Sequence, residues 1–349
     1  MVRRAGRDTR RRTASYRRLR IDSIRYGRIV PSRIGRLAVM AGSLALAATL
    51  LVVVLPKATG ATWTGTGDMV FDISPVRFAQ LIAVWTAGLW LHTFVLRAAL
   101  PGLRTRRAFA LNLGGSSVSN VLPLGGAAGV GLNYAMLRSW GYSQVQISAF
   151  TAVSNLVVAV IKVLIALAGV VVLLASSSAT GLDVPLPHLG ATGIAVAVAV
   201  VTVVTAIARV TWRSERGVAA RAAVRLSASE AWTAVRVGWR SMLLGGLGYP
   251  ALQAVLLWLC LQAMGAGVGV LPVLLTYAVE RLLTLVPFTP GGVGVVETGA
   301  SAVLVAFGVD PASAVAGFLL FRVFSYLIEI PVGGLITACW LLRRRARLS

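Results

Sequence analysis

The sequence predicts an all-α, polytopic integral membrane protein with about six full spans plus two re-entrant helical hairpins in an inverted-topology repeat. Three observations lead there. The chain is 57% hydrophobic and only 13% charged, against about 45–50% apolar and about 25% charged for a soluble domain. Its mean hydropathy is +0.81, and several apolar runs approach the ~20 residues that a helix needs to cross hydrocarbon. Two further apolar runs are broken by Pro- and Gly-rich cores, NVLPLGGAAGVG at 120–131 and VPFTPGGVG at 286–294.

Taken in order, residues 1–36 are Arg-dense, with Asp8 and Asp22 as their only acids. They read either as a disordered cytoplasmic tail or as an arm docking on anionic lipid, at about 1 kcal/mol per basic residue near the surface. The transmembrane domain is expected over 37–342. Residues 37–55 form its first span, whose apolar run is longer than a typical signal-peptide core. Residues 56–77 read as an external loop. Residues 78–100 form the second span, stopped by Pro101, and the basic GLRTRR after it reads as cytoplasmic.

Residues 108–138 are apolar but broken in the middle. Each arm is about 12–15 residues, or roughly 18–22 Å of helix, and neither crosses a hydrocarbon core of about 30 Å. Both flanks are basic, with Arg104, Arg106 and Arg107 before and Arg138 after. A hairpin entering from the cytoplasm satisfies both facts. Residues 147–174 go out, SSSATGLDVPLPH lacks Lys and Arg and reads as external, and 189–209 return.

Residues 209–240 are a basic cytoplasmic segment with a weak apolar stripe, and 241–264 go out again. The uncharged GAGVGVLP is external, so the second broken stretch, 273–308, enters from outside. Residues 312–342 form the last span, and 343–349 a basic cytoplasmic end. Both termini then face the cytoplasm, as the positive-inside rule requires. The first span–hairpin–span set thus runs opposite to the second, which is the inverted repeat.

The net charge of +23 would suggest nucleic acid in a soluble protein. Here the arginines sit between apolar runs, where membrane topology and anionic headgroups explain them, so no nucleic-acid partner is expected. Cys260 and Cys339 lie in apolar runs, and His92 and His188 stand far apart. No metal spacing or phosphate-cradling Gly-Lys-Ser/Thr occurs, so neither metal nor cofactor is expected.

Ionisable residues at membrane depth are functional candidates. Glu280, Arg281, Glu297, Arg322 and Glu329 are such residues. Glu280 and Arg281 project about 100° apart on a helix and need not pair with each other. Arg322 and Glu329 share a face roughly 10.5 Å apart, too far for a direct bridge. A groove shared by Arg281, Glu297, Arg322 and Glu329 is one reading. Internal pairing, Arg281 with Glu297 or Glu280 with Arg322, is the other.

Pro287 and Pro290 break the helix, and Gly291, Gly292 and Gly294 permit positive φ and close backbone approach. They would place free amides and a helix N-terminus at mid-membrane, where anions bind. In the first hairpin Pro123, Gly125, Gly126 and Gly129 are the counterparts. Asn112, Ser116, Ser117, Ser119, Asn120 and Asn133 give it a polar lining or, on the blander reading, helix–helix hydrogen bonds.

NVLPLGGAAGVGLNYAMLRSWG, with its Pro-x-Gly-Gly-x-x-Gly pattern, and ERLLTLVPFTPGGVGVVETG, with Pro-Gly-Gly-x-Gly-x-x-Glu, resemble the lysylphosphatidylglycerol synthase transmembrane, or flippase-like, family. The resemblance covers most of 37–342. It implies a lipid flippase in the plasma membrane, moving an anionic or modified phospholipid or a lipid-linked envelope precursor between leaflets. The multiple peptide resistance factors of that family carry a cytosolic aminoacyl-transfer domain after the membrane domain. This chain ends at Ser349, so the synthase activity is not expected and the protein is expected not to be an enzyme. Membrane lipids with anionic headgroups are the expected partners, with homo-oligomers possible. A membrane enzyme using Glu280 and Glu297 on a lipid phosphate, and an accessory subunit of an envelope-synthesis complex, are the alternatives.

Overall fold

The computed structural model describes residues 42, 45–64, 73–122, 125–180, 217–284 and 290–346. The Arg-rich tail 1–36, the span expected at 189–209, His188, Pro123, Pro287 and residues 347–349 lie outside them. The chain divides into two units, 1–42 and 43–349, and of the first only residue 42 is among the described residues.

Every regular element among the described residues is helical. α1 is Ala45–Thr59. It runs past the expected end at 55, through Pro56. A π turn at Leu50–Val54 precedes that proline, and the Val52 carbonyl, which Pro56 cannot bond, accepts from Trp63 Nε1 at 3.5 Å. α2 (Pro75–Ala99) starts on Ser74, whose side chain accepts from Arg77 N, with Pro75 in the first turn. It ends as Leu100 turns extended before Pro101.

α3 (Thr105–Val121) and α4 (Gly125–Ser139) are the arms of the first hairpin. Leu122, before Pro123, is again extended (φ −99°, ψ 138°). The return is tight because α4 opens on glycine. A Cβ at Gly125 would collide with the Ser119 carbonyl, and one at Gly129 would lie 2.6 Å from the Gly115 carbonyl.

α5 (Gln144–Thr180) follows. α6 (Gly217–Ala263) joins the expected basic segment and the following span in one helix of 47 residues. At 1.5 Å per residue it is about 70 Å long, more than twice the hydrocarbon core. α7 (Val270–Leu283), a 3₁₀ turn at Pro290–Gly292 and α8 (Val295–Ala306) form the second broken segment. α9 (Pro311–Arg322) and α10 (Glu329–Arg345) are one helix carrying a π turn at Val323–Leu327. Among the described residues, four stretches are long and apolar enough to cross a membrane: Pro75–Ala99, Gln144–Gly169, Ser227–Ala263 and Pro311–Arg345.

The packing repeats itself. α3 packs on α4 as α7 packs on α8, α2 on α3 as α6 on α7, and α4 on α5 as α8 on α9. α10 covers α3 as α5 covers α7. The pair α2–α6 joins the halves. Gly88 faces Tyr249 and Leu252, Gly248 faces Leu91, and Gly238 faces Ala98. α2 and α6 are therefore antiparallel, so the first hairpin opens at one end of the molecule and the second at the other. Each half has its own apolar core. One is built on Leu111, Met136, Leu137 and Phe150, the other on Leu257, Val296, Phe318 and Phe324.

Candidate functional site

The tips of the two hairpins meet at the π turn of the last helix. Pro331 explains the turn. It has no N–H for the Leu327 carbonyl and crowds it, and the wide turn, with Ile328 N on Val323 O at 2.8 Å, absorbs the break. π turns inside helices recur at functional sites. This one aims Tyr326 at both hairpins. Its hydroxyl donates to the Asn120 carbonyl at 2.5 Å, and Asn120 Nδ2 donates back to the Tyr326 carbonyl at 3.3 Å. Its ring packs where a Cβ of Gly291 would be.

In the second hairpin Gly291, Gly292 and Gly294 all have positive φ, 60°, 73° and 91°, a conformation open to glycine at no steric cost. The turn is held from two sides. Glu297 Oε2 accepts from Gly294 N at 2.6 Å, and its other oxygen binds Arg322 Nε at 2.5 Å. Arg322 Nη2 donates to the Gly291 carbonyl at 2.8 Å. The α8 N-terminus was expected to offer amides to an anion. The chain supplies that anion itself, in the Glu297 carboxylate.

Glu280 and Arg281, which on their helical angle need not pair, also form an ion pair. Both Arg281 Nε and Nη2 reach the Glu280 carboxylate. The two side chains bend across 100° because the fully buried Glu280 carboxylate has no water as an alternative, and the guanidinium also lies 4.8 Å from the Tyr277 ring. The pairings weighed from sequence, Arg281 with Glu297 and Glu280 with Arg322, are replaced by Glu280–Arg281 and Glu297–Arg322. Glu329 is buried and outside both ion pairs. Ser116 and Asn120 stand beside its carboxyl, and no Arg322–Glu329 bridge forms among the described residues.

Beside this junction lies a cavity of about 260 Å³, between α2, α3, α4 and α5. From the first hairpin it takes Asn112, Ser116, Ser119, Asn120 and Asn133, with Gly126 and Gly129 in the wall. Ser117 points elsewhere and donates to the Gly114 carbonyl at 2.8 Å. Gly125 is buried in the α3–α4 contact, not on the cavity. Arg281, Glu297, Arg322 and Glu329 do not line it either; no charged residue does.

Sequence reasoning missed His92, Thr151, Ser154 and Asn155 on the opposite wall. The signal was present: Thr151, Ser154 and Asn155 stand at i, i+3 and i+4, one face of an otherwise apolar helix. It also missed Tyr326, an aromatic residue with nothing in its spacing to mark it.

Asn112 Nδ2 and Asn133 Oδ1 are buried without a partner. The lining of the cavity is polar and carries no Asp, Glu, Lys or Arg. Among the described residues no group of three His, Cys, Asp or Glu could hold a metal ion.

In comparisons with known proteins, residues 39–333 match the family described as "Lysylphosphatidylglycerol synthase TM region". No curated protein matches the chain.

Proposed function

The chain belongs to the lysylphosphatidylglycerol synthase TM-region family, and from that premise we propose that it moves a phospholipid or lipid-linked envelope precursor between membrane leaflets. The observation that carries this is the uncharged polar cavity set among apolar helices, next to the meeting point of two broken hairpins. The headgroup crosses by way of this cavity while the acyl chains stay in lipid. Irregular backbone at membrane depth fits such a wet path.

In this reading the chain has six spans, with the hairpins re-entrant from opposite faces. The antiparallel α2–α6 pair supports that topology. So does the gathering of basic residues at one end: Trp340, beside Arg343–Arg345, donates to Ser139, and Arg107 stacks on Trp140. That end faces the cytoplasm of the plasma membrane. The pairs Glu280–Arg281 and Glu297–Arg322 hold the second hairpin to its neighbours. A membrane enzyme using Glu280 and Glu297 is disfavoured, because both carboxylates already hold a guanidinium.

Reconstitution tests this. Vesicles containing the purified protein and an acyl-labelled phospholipid are expected to expose more label to an impermeant reductant than protein-free vesicles, with the lipid chemically unchanged. Equal exposure, or a chemically altered lipid, overturns it in favour of an accessory or an enzymatic role.

A further inference from the structure

α5 carries a cation outside both ion pairs. Its residues Thr151, Ser154, Asn155 and Val158 line the uncharged cavity. Lys162 stands four residues beyond Val158 and seven beyond Asn155. It therefore continues the same face about one turn, roughly 6 Å, further along the helix. Here α5 leaves the cavity and joins the second half. Ile161 meets the Gly246 position of α6, Ile165 packs on the second apolar core, and Gly169 lies against Ala278 of α7. Lys162 is half-buried at this joint. Its Cα–Cβ bond tilts toward the helix N-terminus, the cavity side.

The Glu280–Arg281 pair of α7 lies within electrostatic reach of Lys162. The three side chains bring two cations and one carboxylate. That carboxylate is already held by Arg281 Nε and Nη2. Among the described residues Lys162 forms no ion pair. Glu329, the carboxylate outside both pairs, stands beside Ser116 and Asn120 and is not among the charged groups that act on Lys162. One positive charge is therefore left over at membrane depth. A lone ammonium there is costly until an anion reaches it. The bilayer contains such an anion in the phosphate of its lipids. The cavity offers that phosphate no countercharge, since no Asp, Glu, Lys or Arg lines it.

We propose, resting on the translocator reading, that Lys162 and Arg281 form an anion subsite at the joint of α5 and α7, separate from the uncharged cavity, for the phosphate of a lipid headgroup. The ammonium supplies the charge. The guanidinium has N–H donors beyond the two it gives to Glu280, and these supply direction. Glu280 offsets one of the two cations and fixes the guanidinium. The site is then attractive enough to be entered and weak enough to be left, as a passage requires.

Binding to the full chain in detergent, read by native mass spectrometry, tests this with phosphatidic acid, diacylglycerol of the same acyl chains, and inorganic phosphate. The Arg-dense segments also attract anionic lipid, so the site is read as the difference between the chain and its Lys162→Met variant. Methionine is flexible and apolar and removes a charge from an apolar helix, so this variant is expected to fold. Lys162→Gln, polar and uncharged, repeats the test should it not. Phosphatidic acid is expected to bind about ten- to a hundredfold more tightly than diacylglycerol, the scale of a charge-assisted hydrogen bond. Lys162→Met should weaken phosphatidic acid by about tenfold and leave diacylglycerol unchanged, while Lys162→Arg should bind as the unaltered chain does. Unchanged phosphatidic acid binding in the uncharged variants overturns the subsite. An equal loss in Lys162→Arg assigns the effect to packing and overturns it too. Inorganic phosphate binding as tightly as phosphatidic acid overturns the lipid assignment. Leaflet exchange without a Lys162-dependent phosphate preference overturns the subsite and leaves the translocator standing. That preference without leaflet exchange upholds the subsite and removes the translocator.

Discussion

Glu297 does three things with two oxygens: it caps α8, neutralises Arg322 and, through Arg322, fastens the Gly291 carbonyl. Both partners are buried. Removing one charge strands the other away from water, at about 3–5 kcal/mol. Arg322→Gln and Glu297→Gln should each lower thermal stability in detergent by that order. The double substitution should cost clearly less than the two single losses together, because no lone charge remains. Additive losses in such a double-mutant cycle would refute the coupling. The sequence marked both residues as ionisable at membrane depth. It could not pair them, because they are separated by 25 positions and the three carboxylates Glu280, Glu297 and Glu329, like the two guanidiniums Arg281 and Arg322, are chemically equivalent.

At the scale of elements, the first hairpin depends on backbone approach. Gly129 sits where any side chain meets the Gly115 carbonyl and Ser119, whereas Gly131, one half-turn on, has open space. Gly129→Leu should destabilise by about 1–3 kcal/mol through overpacking, and Gly131→Leu should stay within about 0.5 kcal/mol. Matched thermal melts in detergent would show it; equal effects would mean that α3 and α4 do not pack as described. Both hairpins were legible because Pro and Gly interrupt an apolar run in a way that composition alone displays. The π turn was not. Pro331 signals some disturbance in its helix, but its form, a widened turn aiming Tyr326 at Asn120 and Gly291, depends on what packs beside it.

For the whole molecule, the antiparallel α2–α6 pair puts Thr105 and Ser229 toward one end and Gly267 toward the other, and the expected topology adds Thr64 to the second end. Single cysteines on a background lacking Cys260 and Cys339 should follow suit in intact cells. Positions 64 and 267 should react with an impermeant reagent, and 105 and 229 only after permeabilisation. Labelling of 105 from outside would reverse the topology. Hydropathy and loop charge determined the helical class, the four described crossing-length helices and the places of both breaks, since each is a property of local composition. The family, too, was readable in the two Pro-Gly motifs. Only the tertiary structure decided which carboxylate meets which guanidinium, that the α8 N-terminus is filled by Glu297, and that the polar cavity draws its far wall from α2 and α5. These are contacts between distant segments, set by geometry among groups of the same chemistry, and helical periodicity carries no information about a partner on another helix.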